Sequence, residues 1–176
     1  MYQVLTAELA GKRDQLDVAL NHYQRAAIAS NDPRVAERAA VLALIMKENA
    51  AALALAQRWQ ALDPSNEQAQ QTLALALLRN GRLEEAAQYL ETVRRAAQEK
   101  DKQQGYATIA SLLSQADDKQ LALRVIGQFR DRNPRSAFAQ YYYAMLAAAA
   151  GEREQALASL ERALARLPDT SRVVVL

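Results

Sequence analysis

Alanine recurs along this chain in two linked series. Ala19, Ala52, Ala86, Ala122 and Ala156 are separated by steps of 33, 34, 36 and 34 residues. Ala7, Ala40, Ala74, Ala110 and Ala144 each stand twelve residues before their counterpart in the first series. Five equal offsets inside near-equal periods mark an internal repeat, and a period of this length means stacked supersecondary units. Gly81 and Gly151 fall at matching places, and Pro33, Pro64, Pro134 and Pro168 each follow an apolar helical pattern by a few residues. Proline ends a helix there, because its ring blocks continuation and its nitrogen has no proton to donate.

Within a period the spacing is helical. In GEREQALASLERALARLP, residues 151–168, Ala156, Leu160 and Ala163 recur at intervals of four and three, which places them on one stripe. The chain has only five glycines and four prolines and is rich in alanine, leucine, glutamine, arginine and glutamate, so helices are favoured throughout. Each period is predicted to hold two antiparallel helices of about 12 to 14 residues, each roughly 20 Å long. One alanine from each helix faces the other at their crossing, bringing the axes to the close end of the 8–10 Å range. Leu83, Leu90 and Val93, and likewise Leu157, Leu160 and Leu164, are expected to supply the burial, at about 1.5–3 kcal/mol for each fully buried side chain. Asp32 before Pro33, Ser65 with Gln68, and Asp101 with Gln104 are expected helix caps. At the fourth boundary, QEKDKQQG replaces the proline and supplies the two extra residues of the 36-residue step.

The same residues exclude much chemistry. Cysteine is absent, so disulfides, thiol catalysis and zinc ribbons are out. His22 is the only imidazole, set beside Tyr23 off the buried stripe with no serine and carboxylate around it in sequence, and it reads as an ordinary helix residue. The adjacent carboxylates Glu84 with Glu85, and Asp117 with Asp118, open second helices, where acids favour the positive end of the dipole. No glycine-rich phosphate loop occurs, and neither a cofactor nor a metal nor an enzymatic activity is expected. Twenty-two basic and twenty acidic residues are interspersed, and Arg94, Arg95, Lys100 and Lys102 lack an aromatic platform, so no nucleic-acid partner is expected. The longest apolar run, Tyr141 to Ala150, is about half a membrane span. The opening MYQVLTAELAG lacks a basic region and a long apolar core, so any secretion signal of a parent protein is expected outside this stretch.

The paired alanines, the period and the closing prolines resemble the tetratricopeptide repeat (TPR) family, whose unit is a 34-residue helix-turn-helix. The resemblance covers nearly the whole chain. It is clearest from Gly105 to Pro134, with Tyr106, Ile109, Ala110, Leu113, Ala122, Ile126 and Phe129, and nearly as clear through Ala144, Gly151, Ala156 and Pro168. Tyr23 and Ala26 fit the first unit. It implies an all-α, right-handed superhelical solenoid of about five repeats, at 1–33, 34–64, 65–98, 99–134 and 135–168, in a single array expected to be a fragment of a longer protein. Residues 169–176 would start a further helix. Trp59 and Phe129 stand where Ala26 and Ala163 stand in their own units, so local spreading of successive repeats is expected there. Pentatricopeptide repeats, which read RNA with a similar period, fit the alanine pairs and prolines less well.

In the resembled family the first helix of each unit lines a concave groove that binds a protein or peptide segment. Carried onto this chain, that lining is Arg34, Glu37 and Val41 in the second unit, then Gln68, Gln71, Leu75 and Arg79 in the third. The fourth contributes Gln104, Ser111, Ser114 and Gln115, and the fifth Phe138, Tyr141 and Met145. Relatives that grip an acidic C-terminus use lysine and asparagine in the groove, whereas Glu37, Gln71 and Ala107 stand at the lysine place, so no carboxylate clamp is expected. A structural role in self-assembly through uncapped ends is the alternative, with the apolar Val173, Val174, Val175 and Leu176 as a dimer contact. The stretches SNDPRVAERAAVLAL and AQRWQALDPSNEQAQQTLALALLRNGRLEEAAQYL further resemble the amino-terminal region of proteobacterial TPR lipoproteins. One of these presents substrates to a periplasmic carboxyl-terminal processing protease. That likeness implies an adaptor in the bacterial periplasm, its parent anchored by a lipidated cysteine upstream.

Overall fold

The computed structural model describes residues 2–101 and 103–166; Pro168 and the expected further helix at 169–176 lie outside them. Ten helices and no strand occur among the described residues: α1 (Tyr2–Lys12), α2 (Leu16–Ala29), α3 (Pro33–Ile45), α4 (Asn49–Leu62), α5 (Glu67–Arg79), α6 (Leu83–Lys100), α7 (Gln104–Ser114), α8 (Lys119–Arg132), α9 (Ala137–Ala149) and α10 (Arg153–Leu164). Pro33 is the first residue of α3 rather than the last of the preceding repeat, since a proline at the first helical position loses no hydrogen bond. Helix α6 reaches 18 residues, longer than expected, because without a proline nothing in QEKDKQQG stops it before Lys100.

The chain divides into two compact units, Met1–Tyr89 and Leu90–Leu176, the division falling inside α6. In the first unit α1 packs on α2 and α3 on α4, while α2 meets α3, and α5 packs on α4 and α3. In the second unit α7 packs on α8 and α9 on α10, and α9 also packs against α7 and α8. The alanine series lie where small side chains are needed. Ala7, Ala40, Ala52, Ala74 and Ala86 have no solvent exposure, and Ala19, Ala110, Ala122 and Ala144 are also buried. Ala156 is half-buried. Leu90 and Val93 are buried and Leu83 half-buried, but Leu157 is 62% exposed. Ser159 and Ala163 are the buried residues of α10, and Leu157 lies off their stripe. The two bulky residues, Trp59 and Phe129, are fully enclosed, at 2% and 1% exposure.

Four of the five intra-pair turns share one hydrogen-bond pattern. Asp14, Lys47, Gly81 and Gly151 take the left-handed conformation at φ 59°, 60°, 71° and 85°, each five residues before an alanine of the first series. The next N–H in each turn reaches back to the helix: Gln15 to Ala10 O (2.9 Å), Glu48 to Ala43 O (2.9 Å), Arg82 to Leu77 O (3.0 Å) and Glu152 to Ala147 O (2.9 Å). This bond and the shorter one inside it satisfy the orphan carbonyls of the first helix while reversing the chain. In the remaining turn Asp118 caps α8 by accepting from the Leu121 N–H at 2.9 Å. Asp32 caps α3 through the Arg34 N–H as expected, at 3.0 Å. Asn66 rather than Ser65 caps α5, accepting from the Ala69 N–H at 3.1 Å, and Asp101 accepts from the Gln103 N–H at 2.9 Å.

Polar side chains tie the hairpins of the first unit together. Arg58 on α4 donates to the carbonyls of Ala27 (2.5 Å) and Ser30 (2.9 Å) at the end of α2. Asn80 donates to Asn49 O at 2.8 Å. A guanidinium at a helix C-terminus satisfies unpaired carbonyls and complements the dipole.

Candidate functional site

In the first unit α1 and α3 both pack on α2, and the Arg38 side chain of α3 bonds Glu8 of α1. Between them and α2 opens a cleft of about 500 Å³, its walls including Lys12, Leu16, Tyr23, Glu37, Arg38, Val41 and Ile45. Its two carboxylates are held differently. Glu8 accepts from the Tyr23 hydroxyl at 2.6 Å and from the Arg38 guanidinium, which fixes α1 to both neighbours. Glu37 is half-buried and makes no hydrogen bond or ion pair to any described residue. Burial raises the Tyr23 hydroxyl pKa, so the phenol stays protonated as the donor. The apolar rim is open: Val41 is 41% exposed and Ile45 68% exposed.

Of the residues expected to line a groove in this unit, Glu37 and Val41 share the cleft. Arg34 is exposed and its guanidinium folds back onto Asp32 at 2.7 Å. Gln68 is exposed and Gln71 half-buried. Leu75 is buried, at 6% exposure, so it belongs to the packed interior instead of an open lining. Arg79 donates to Leu44 O at 2.8 Å and closes the end of α3, a structural use of a side chain expected on the groove. Lys12 and Leu16 escaped the sequence reading because the first unit was not carried onto the groove, and Ile45 because the lining read in the second unit ended at Val41. The signal was present: the 33-residue offset between Ala7 and Ala40 sets Lys12 level with Ile45.

In the second unit α7 and α9 adjoin. Gln104, Ser111, Ser114 and Gln115 are all exposed on α7 or at its end. Ser114 and Gln115 donate to Ser111 O at 2.7 and 3.3 Å, so these two polar groups partly serve their own helix end. On α9, Phe138 and Tyr141 are half-buried and Met145 is 51% exposed. The Tyr141 ring meets Tyr142 edge-on, with centroids 5.0 Å apart and planes at 77°, and burial raises the Tyr142 pKa. Arg130 of α8 lies 3.8 Å from the centroid of the buried Tyr143 ring.

The arrangement offers shape and polarity. The imidazole of His22 is hydrogen-bonded to the Gln3 side-chain oxygen, a partly packed helix residue. Among the described residues no three His, Cys, Asp or Glu side chains gather as metal ligands, and no helix is long and apolar enough to cross a membrane.

Comparison with known proteins bears on this architecture. The tetratricopeptide repeat pattern matches residues 68–101 and 108–171. A TPR repeat-containing protein of Pseudomonas aeruginosa is 40% identical over 93 residues, which cover 53% of this chain and 16% of that protein. The chain thus spans about a sixth of that relative's length. The solved structure of MamA residues 41 to the end from Desulfovibrio magneticus RS-1 is similar with a TM-score of 0.54 at 15% identity, over 90% of this chain and 89% of that one. YrrB, described as a TPR protein with an unusual peptide-binding site, is similar with a TM-score of 0.52 at 18% identity, over 98% and 89%. At such identities these likenesses concern the fold.

Proposed function

Because the chain belongs to the tetratricopeptide repeat family, we propose that it is a non-catalytic scaffold that holds a segment of another protein on the exposed faces of its first helices. The family and fold support protein–protein interaction as the general role. The observation that carries the finer reading is the open apolar surface on these faces: Val41 and Ile45 beside a cleft in the first unit, and Met145 beside the tyrosines of α9 in the second. Exposed aliphatic and aromatic groups rimmed by polar side chains are what a partner's side chains fill. The test is partner capture with Gln71→Arg and Met145→Arg, both at positions whose helices keep their buried stripes. Loss of capture with an unchanged melting curve supports the reading, and undiminished capture by the double variant removes it.

The adaptor role for a periplasmic processing protease rests on the likeness of residues 30–44 and 56–90 to the TPR lipoproteins, and so do the periplasmic location and the upstream lipid anchor. Co-purification of the parent protein with such a protease from a membrane fraction tests it. Self-assembly is a second reading, favoured by Tyr2, Leu5 and Leu9, which are 75%, 61% and 56% exposed along α1. Light scattering separates the two: a concentration-dependent dimer that Leu5→Glu abolishes supports assembly, and a strict monomer rejects it. The expected dimer contact at Val173–Leu176 lies outside the described residues.

A further inference from the structure

The cleft of the first unit carries a charge pattern that specifies what enters it. Glu8 on α1 accepts hydrogen bonds from Tyr23 and Arg38, whereas Glu37 on α3 has no hydrogen-bond or ion-pair partner among the described residues. A half-buried carboxylate has lost part of its water, so a cation brought beside it restores that solvation and adds attraction. At the other end stands Lys12, also without a described partner, on the last turn of α1. The bond from Arg38 to Glu8 ties α1 to α3, and the 33-residue repeat offset that pairs Ala7 with Ala40 pairs Lys12 with Ile45. Glu37 and Ile45 are eight residues apart on α3, about 12 Å at 1.5 Å per residue. The apolar part of the lining comes from Leu16, Val41 and Ile45, and Glu8 and Arg38, which also line the cleft, are paired with each other.

Building on the protein-binding role, we infer that this cleft is an anchor site for a peptide segment with a large apolar side chain in the middle, a lysine or arginine on one flank and an acidic residue on the other. The apolar group seats among Leu16, Val41 and Ile45, the basic group meets Glu37, and the acidic group meets Lys12. In an extended segment 12 Å corresponds to about four residues, which sets the spacing of the two flanking charges. Glu37 repels the acidic group that a carboxylate clamp would accept, so orientation in the cleft is imposed as much by repulsion as by attraction.

Selection from a random-peptide phage library on the full chain tests this. The expected consensus is basic, apolar, acidic, with the charges about four positions apart in extended ligands. Selected peptides should bind about tenfold more weakly to Glu37→Lys and to Val41→Asp, with affinity falling as salt is added. The Glu37→Lys, Lys12→Glu double variant should select the opposite order of charges. Peptides enriched without flanking charges, or binding that neither single variant alters, would overturn the cleft assignment while leaving the scaffold role standing on the other faces. A library that yields no binder to any face contradicts the inference and the scaffold role together.

Discussion

Gly105, in the first turn of α7, lies against the backbone of α6 so closely that a Cβ built on it would stand 2.8 Å from the carbonyl oxygen of Arg94 and 3.0 Å from the Cβ of Gln98. The boundary that lacks a proline is thus closed by a glycine. Gly105→Ala gains about 1 kcal/mol of helix propensity, but forces backbone apart at a cost of about 1–3 kcal/mol. Gly105→Val keeps the clash and most of the propensity gain is lost. Thermal unfolding should rank the native chain above Gly105→Ala and Gly105→Ala above Gly105→Val; equal melting of all three would mean that the two helices do not approach this closely.

The same substitution should have opposite signs at two other glycines. Gly81 has φ 71° with nothing near its missing Cβ, so Gly81→Ala costs only conformational strain, about 1 kcal/mol. Gly11 lies within α1 with equally open surroundings and no positive φ, so Gly11→Ala should stabilise by about 0.5–1 kcal/mol. Urea denaturation of the two variants gives the comparison directly. Gly81→Asn should recover part of the loss, since asparagine tolerates the left-handed region better than alanine.

Alanine at the crossings is a matter of room. Ala86 has no exposure, and Ala86→Leu should overfill its crossing by about 1–3 kcal/mol. Ala156 is only half-buried, so Ala156→Leu has an open side to turn to and should cost less. Equal melting temperatures for Ala86→Leu and the native chain would show that Ala86 is not in a close crossing.

Much of this was readable in the residues because it is local or periodic. The alanine series announce two helices per period, and the matched Gly81 and Gly151 mark their turns. Asp32 and Asp118 are recognisable caps from the helix starts that follow them. Lys47 and Asp14 do the work of glycine in their turns, which no residue-type signal announces, since neither side chain favours the left-handed region as glycine does. Ser65 with Gln68 imitates a capping box one residue away from the real cap, Asn66. Among the site residues, Glu37 and Val41 follow from helical phase and one offset. Arg79 does not, because its use is decided by a carbonyl at Leu44, 35 residues away. Leu75 was misplaced for a related reason: α5 carries six consecutive buried residues from Leu73 to Leu78, and phase alone does not identify an open face on so enclosed a helix.

Stability of the second unit should depend on acid through one carboxylate. Glu91 accepts from Arg94 at 2.8 Å and from Arg95 at 2.6 Å. The hydrogen bond from Arg94 is the main cause holding its carboxyl below the ordinary glutamate range, aided by Arg95 and opposed by partial burial. A folded-state pKa below the unfolded one stabilises fully above the unfolded value, and that contribution is lost as the pH falls through the ordinary range to the folded value. Glu91→Gln should therefore cost about 1 kcal/mol at neutral pH, an amount limited by solvent screening, and the gap should close as the pH falls below the ordinary glutamate range. A gap independent of pH would show that the ion pair is not its source.

Site-specific photo-crosslinking in cells tests the central claim most directly, with the reactive group placed in turn at Val41 and Met145 on first helices and at the exposed Arg124 on the second helix α8. If the first-helix faces hold partner proteins, Val41 and Met145 give adducts with other proteins and Arg124 gives none. Adducts from Arg124 alone, or only between copies of this chain, would contradict it.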